Sequence, residues 1–221
     1  MKSWLRDNGL TIALLLLFAA SLGGQAMTGW ASENQTLVDH GRPPLLFGSY
    51  IVSAAFLSAL FENWESEFLQ MWVFVMLTAY LFQRGSPESK DPDDDSPQDR
   101  DPARDADKPS APLPVRIGGW MRAVYSHSLG LALLSLFLAS FVLHWINSGR
   151  RAAGEALAHG HAPAGLWSYL LQPEFWFESF QNWQSEFLST AVLIVLAIFL
   201  RERGSPESKP VGAPHSQTGS D

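Results

Sequence analysis

FENWESEFLQMWVFVMLTAYLFQRGSPESK at residues 61–90 and FQNWQSEFLSTAVLIVLAIFLRERGSPESK at residues 180–209 are two versions of one pattern, 119 residues apart. Phe61, Asn63, Trp64, Ser66, Glu67, Phe68 and Leu69 recur as Phe180, Asn182, Trp183, Ser185, Glu186, Phe187 and Leu188. RGSPESK at Arg84–Lys90 returns entire at Arg203–Lys209. Working outward, the same offset aligns Leu10–Lys90 with Leu129–Lys209 without a gap. It carries His40, Gly41 and Pro44 onto His159, Gly160 and Pro163, Ser49-Tyr50 onto Ser168-Tyr169, and Ala20-Ser21 onto Ala139-Ser140. One offset held over about eighty positions does not come from composition, so each half reads as one duplicated unit.

The distribution of polarity points to a bilayer. Apolar residues gather in blocks such as Leu10–Ala20, Leu129–Leu143 and Phe187–Leu200, while charge crowds into residues 84–122. The net charge of -7 has its source in a run of eight aspartates from Asp91 to Asp107, interleaved with prolines. Such a stretch cannot bury a core and reads as a disordered, solvated linker. The absence of cysteine excludes disulfides, thiolate metal sites and cysteine nucleophiles.

The expected fold is an all-α membrane protein with four transmembrane helices, two in each of two parallel duplicated units, and short interfacial helices on the outer side. The first repeat takes residues 1–90 with spans near 10–28 and 64–83. Residues 91–117 are the linker, 118–209 the second repeat with spans near 128–146 and 183–201, and 210–221 a disordered tail. Leu10–Thr28 has the makings of a cleaved signal peptide, but its counterpart Leu129–Ile146 lies mid-chain, which favours retained helices. Each second helix is expected to begin near Asn63 or Asn182. The apolar segment Leu45–Leu60 is read as interfacial, because its counterpart contains Pro173, Glu174 and Glu178. Lys and Arg concentrate in the two tails and the linker, leaving only Arg42, Arg150 and Arg151 between paired helices, so both termini are expected in the cytoplasm.

Two halves each carrying FxNWxSEFL and RGSPESK, with an HGxxP loop between their helices, resemble the bacterial membrane proteins grouped as domain of unknown function 6766. The resemblance covers nearly the whole chain and implies a polytopic membrane protein, here of a bacterial inner membrane, without an assigned activity. One departure is visible: Ser53–Leu60 stands where the second half has Gln172-Pro173-Glu174 through Ser179.

The candidate polar stripe is Asn63, Glu67 and Gln70, at i, i+4 and i+7 of one helix face, with Asn182, Glu186 and Ser189 placed identically in the other half. Beside it run the aromatics Phe61, Trp64 and Phe68, repeated as Phe180, Trp183 and Phe187. Two readings are open. Facing carboxylates at Glu67 and Glu186 suit a proton or cation route. Equally, Asn63 and Asn182 suit N-caps, with the glutamates favoured by the helix dipole in a first turn. In RGSPESK, Gly85 and Gly204 suit helix C-caps with the preceding arginines on the helix dipole, or the segment contacts a partner or headgroup. His40, His159 and His161 lack the ligand number of a metal site, so no metal and no cofactor are expected. The expected role is a non-enzymatic structural or interaction component of the envelope, with a small proton, cation or solute transporter or channel using Glu67 and Glu186 as alternative. Its expected partners are the lipid bilayer and a second copy or another membrane protein, and not nucleic acid.

Overall fold

A computed structural model describes residues 2–219, so the last two residues of the expected tail lie outside it. Among the described residues every regular element is helical. The helices are α1 (Lys2–Asp7), α2 (Gly9–Asp39), α3 (Phe47–Tyr50), α4 (Ala54–Tyr80), α5 (Leu113–Ile117), α6 (Gly119–Ser126), α7 (Ser128–Ala158), α8 (Leu166–Tyr169) and α9 (Pro173–Phe199). Both ends of α2, α3 and α4 recur in α7, α8 and α9 at the 119-residue offset found in the sequence.

Three of these helices are long and apolar enough to cross a membrane: α2, α7 and α9. At 31 residues α2 and α7 are about 46 Å long, more than a hydrocarbon core of roughly 30 Å requires, and their polar residues gather at the C-terminal ends, Ser32–Asp39 and Arg150–Ala158. Helix α4 matches α9 in length, but Glu62, Asn63, Glu65, Glu67 and Gln70 make it too polar to join the three.

Several expected boundaries move. The second helices begin at Ala54 and Pro173, nine residues before Asn63 and Asn182, which are therefore mid-helix residues and not caps. The two starts use different chemistry. Ser53 Oγ accepts the Phe56 N–H at 3.3 Å, which is N-cap geometry, whereas α9 opens on Pro173 with Glu174 in its first turn. That explains the one departure between the halves: Pro173 interrupts nothing because a first-turn proline has no helical N–H to lose. Of the expected interfacial segment only Phe47–Tyr50 is a separate helix, while residues 54–60 have joined α4. The linker contains two short 3-10 turns, at Pro97–Asp99 and Pro102–Asp105, and then α5.

The chain divides into two compact units, each drawing on both halves of the sequence: Met1–Phe61 with Leu143–Leu171, and Glu62–Val142 with Gln172–Asp221. In the first unit, α2 and α7 both close on a histidine and a glycine. Gly41 and Gly160 take φ of 70° and 76°, and the next residue's N–H returns to Leu37 O or Ala156 O at 2.8 Å. This is a Schellman closure, and the His40 and His159 rings each bond a carbonyl of their own helix at 2.8 Å. Ala26, Tyr50 and Phe56 form the core under the first corner. Asn34 both donates to and accepts from the Leu45 backbone, and Trp30 Nε1 donates to Leu45 O at 2.7 Å.

The second corner places its tryptophan one turn earlier. Trp145 Nε1 donates to Leu166 O at 2.9 Å, and Gly149 stands where the first corner has Trp30, as Ala26 stands where the second has Trp145. One bulky and one small residue fill each corner, so volume is kept while the indole moves along the helix. Tyr169, buried, shares a hydrogen bond with Ser148 at 2.9 Å. At the position matching Ser148, the Tyr50 hydroxyl lies directly against Gly29.

In the second unit, the helix ends are closed by cations. Lys90 Nζ donates to Ala79 O at 2.9 Å, and Arg201 Nη1 to the Ala197, Ile198 and Leu200 carbonyls. Gly85 and Gly204, with φ of 82° and 89°, lie five residues beyond the helices, in turns and not at C-caps.

The close fit at Gly149 gives a comparison within one helix. A Cβ there would meet the Leu166 side chain at 2.8 Å and the buried Tyr169 ring at 3.3 Å, whereas at Gly154 nothing lies within 4 Å. In micelle unfolding, Gly154→Ala is expected to raise stability by up to about 1 kcal/mol through helix propensity, and Gly149→Ala to lower it by about as much. Equal gains from both would overturn the packed corner.

Candidate functional site

Within the second unit, α4 turns Glu62, Glu65 and Gln70 toward α9, and each finds a donor or acceptor there. Asn182 Nδ2 donates to Glu62 Oε1 at 2.6 Å, Trp183 Nε1 to Glu65 Oε1 at 3.0 Å, and Gln70 Nε2 to Thr190 Oγ1 at 2.7 Å. Glu65 is fully buried, so its carboxylate depends on such donors. Trp183 is fixed from the other side by rings: Phe180 at 5.4 Å edge-on, with Trp176 and Phe137 each at 6.4 Å. The α9 partners are tied to their own helix, since Asn182 Nδ2 also reaches Glu178 O at 3.2 Å and Thr190 Oγ1 donates to Glu186 O at 3.0 Å.

Of the expected stripe, Gln70 and Asn182 take part in this seam. Asn63 and Glu67 are exposed one position around the helix from it, and Glu186 is half-buried. Glu67 is close enough for its charge to act on Glu186. Ser189 is exposed and donates to Glu186 O at 2.9 Å. The sequence reading missed Glu62, Glu65 and Thr190. A usable signal existed in the repeat itself: Glu62 and Glu65 correspond to Gln181 and Gln184, acid in one copy and amide in the other.

Below the Gln70–Thr190 contact the seam opens into a groove of about 540 Å³ walled by residues such as Val73, Phe74, Leu77, Phe82, Phe187 and Ile194, ending at Ser86, Glu88 and Ser89. Glu88 belongs to the first RGSPESK turn. The two turns have the same internal bonds: Ser89 Oγ accepts from Gln83 N at 2.9 Å and Ser208 Oγ from Glu202 N at 3.0 Å. Ser86 and Ser205 Oγ accept from the Glu88 and Glu207 amides, both at 3.2 Å. Burial pushes the Glu88 carboxyl above the ordinary glutamate range, and a hydrogen bond to Glu207 with that neighbour's charge pushes it further.

The two turns are joined by Lys209, which is 1% exposed. Its ammonium donates to the carbonyls of Gly85 at 2.6 Å, His215 and Gln217 at 3.0 Å, and Pro214 at 3.3 Å. Burial and the nearby Arg201 charge lower its pKa, and the four carbonyls keep the charge solvated. Thr218 Oγ1 accepts the Gly85 N–H at 2.9 Å and Ser86 O the Gly219 N–H at 3.0 Å, so the tail is stitched to the first turn. The arginines expected to cap the helices, Arg84 and Arg203, are not the cations found on the helix-end carbonyls: Arg84 pairs with Asp93 at 2.7 Å, both exposed, and the α9 carbonyls are bonded by Arg201.

Neither the curated proteins nor the solved structures contain a match to this chain. The family model described as Domain of unknown function (DUF6766) matches residues 1–220, so the chain is a member of that family.

Proposed function

We propose that the chain is a non-enzymatic, multi-pass protein of a bacterial inner membrane that serves as a structural or interaction component of the envelope. The observation that carries this is the pairing in the seam. Glu62, Glu65 and Gln70 are each bonded across to α9, which is what helices need in order to associate where apolar surface gives no driving force. The bonds also support α4 as a fourth span, because it runs beside α9, itself apolar and long enough to cross. The coincidence of helix ends at one offset supports descent from a duplicated two-helix unit. Lys and Arg are concentrated in the tails and linker, which supports cytoplasmic termini. The exposed apolar faces of α2 and α7 are surfaces for lipid, a second copy or a membrane partner.

A second reading, a small proton, cation or solute transporter, draws support from one observation: Glu67 and Glu186 are near enough for one charge to act on the other. A proteoliposome flux assay separates the two. The structural reading expects wild type and the double variant Glu67→Gln, Glu186→Gln to match empty liposomes. Flux in the wild type that the double variant loses would replace it with the transport reading.

The seam predicts a coupling energy. Gln70→Leu and Thr190→Val should each lower stability by about 1 kcal/mol, and the double variant should lose less than their sum. Full additivity in unfolding from micelles would remove the seam as a structural element. At the cap, Lys209→Met leaves four carbonyls without their donor. Amide exchange at Gly85 and Gly219 should speed up by about tenfold or more, while amides in the interior of α9 hold their rates.

A further inference from the structure

Two cavities of the second unit meet end to end. The apolar groove between α4 and α9 shares Thr78, Glu88 and Ser89 with a polar vestibule of about 800 Å³ built by the linker. The groove accompanies α4 from Gln70 to the helix end at Tyr80, about 15 Å, and runs on to Phe82 and Glu88, its one charged lining residue. The vestibule is lined by Glu88, Asp91, Asp94, Asp95 and Asp99 against a single lysine, Lys90. That lysine is already committed, with Asp99 oxygens at 2.8 and 2.9 Å and the Ala79 carbonyl at 2.9 Å. Four carboxyl groups therefore face the vestibule beyond the one that Lys90 answers.

An apolar slot opening on an acidic chamber is complementary to one chemical class. A neutral lipid would leave the acids without a counter-charge, and an anionic amphiphile would be repelled by them. We propose that the groove and vestibule form a binding site for an amphiphilic organic cation, a long-chain amine or quaternary ammonium. Its chain lies against Phe74, Leu77 and Phe187, and its head sits at Glu88 facing the aspartates. The Phe82 ring already accommodates a cation at this end, Lys90 Nζ lying 5.7 Å from its centroid.

The proton competes with the ligand. Burial and then Glu207 raise the pKa of Glu88 above the ordinary glutamate range. A cation whose head replaces that proton releases it, so affinity rises as pH climbs through the raised pKa and levels off above it. The charged groups around Glu88 are Glu207, the four vestibule aspartates and Lys90. Lys209 is held by carbonyls and Arg84 by Asp93, so neither serves as its counter-ion.

The test uses the full chain in phosphatidylcholine nanodiscs, with dodecyltrimethylammonium in equilibrium dialysis and uptake by empty discs subtracted. Saturable binding is expected, displaced poorly by tetramethylammonium, which lacks the chain, and by dodecyl maltoside, which lacks the charge. Glu88→Gln, nearly isosteric, should weaken binding about tenfold and flatten the rise with pH. Leu77→Trp, which fills the groove from a position outside the seam, should weaken the dodecyl probe while its thermal unfolding shows the fold retained. Uptake equal to empty discs overturns the proposal, as does an unchanged affinity in Glu88→Gln. Displacement by dodecyl maltoside as strong as by the cation overturns it too, leaving a groove that takes a lipid chain alone.

Discussion

A carboxylate carried into the contact between two packed helices must find hydrogen-bond donors there, because water is shut out of it. Much of the second unit follows from that constraint at Glu65, which is fully buried. One donor to it is the Trp183 indole, and an indole can serve only if its ring is held in place, which Phe180, Trp176 and Phe137 do. The aromatic cluster around Trp183 is thus the support of an acid as well as apolar packing. Two further bonds, at Glu62 and Gln70, set the register of α4 along α9.

The first unit meets the opposite demand, fitting aromatic bulk into a turn between long helices. Trp30 with Ala26, and Trp145 with Gly149, fill equivalent corners with the indole shifted by one turn, and both indoles donate to a loop carbonyl. What is kept between the corners is volume and a satisfied backbone carbonyl, and what changes is the residue that supplies each. The same holds for the helix starts, where Ser53 caps one and Pro173 opens the other. Sequence identity is lost at these positions while the physical requirement stays.

That distinction decides how much was legible beforehand. The repeat gave the element order and the matching of helices, since a common offset survives substitution. Boundaries were read nine residues late at Ala54 and Pro173, because Glu174 and Glu178 look like surface residues and Pro173 like a break. The face of α4 was read one position off: Asn63 and Glu67 recur in both halves, yet the seam is made by Glu62 and Glu65, which do not. Recurrence marks what both halves need in common. An interaction made by one half upon the other requires different residues on its two sides, acid facing amide or indole, and so breaks the repeat where it forms. His40 and His159 show the converse: they recur because each closes its own helix, a local task that both copies share.

RGSPESK combines both kinds of behaviour. Its serines make identical local bonds in each copy, which accounts for their retention. Its last lysine, however, takes different partners: Lys90 closes α4 and binds Asp99 of the linker, while Lys209 is buried among four carbonyls and reaches back to Gly85 of the first turn. Its glutamates, local to each turn in sequence, become neighbours in space, and burial together with Glu207 raises the Glu88 pKa above the ordinary glutamate range. Joining two identical acidic turns therefore produces a group that neither turn has alone, a carboxyl raised above its ordinary range at the mouth of an apolar groove. The acidic linker, whose composition suggests only solvated chain, supplies the remaining carboxylates of the chamber outside it. A linker that merely tethered the halves would need length and solubility. Placing four aspartates around one committed lysine goes beyond that need, and gives the linker a place in the chemistry of the groove.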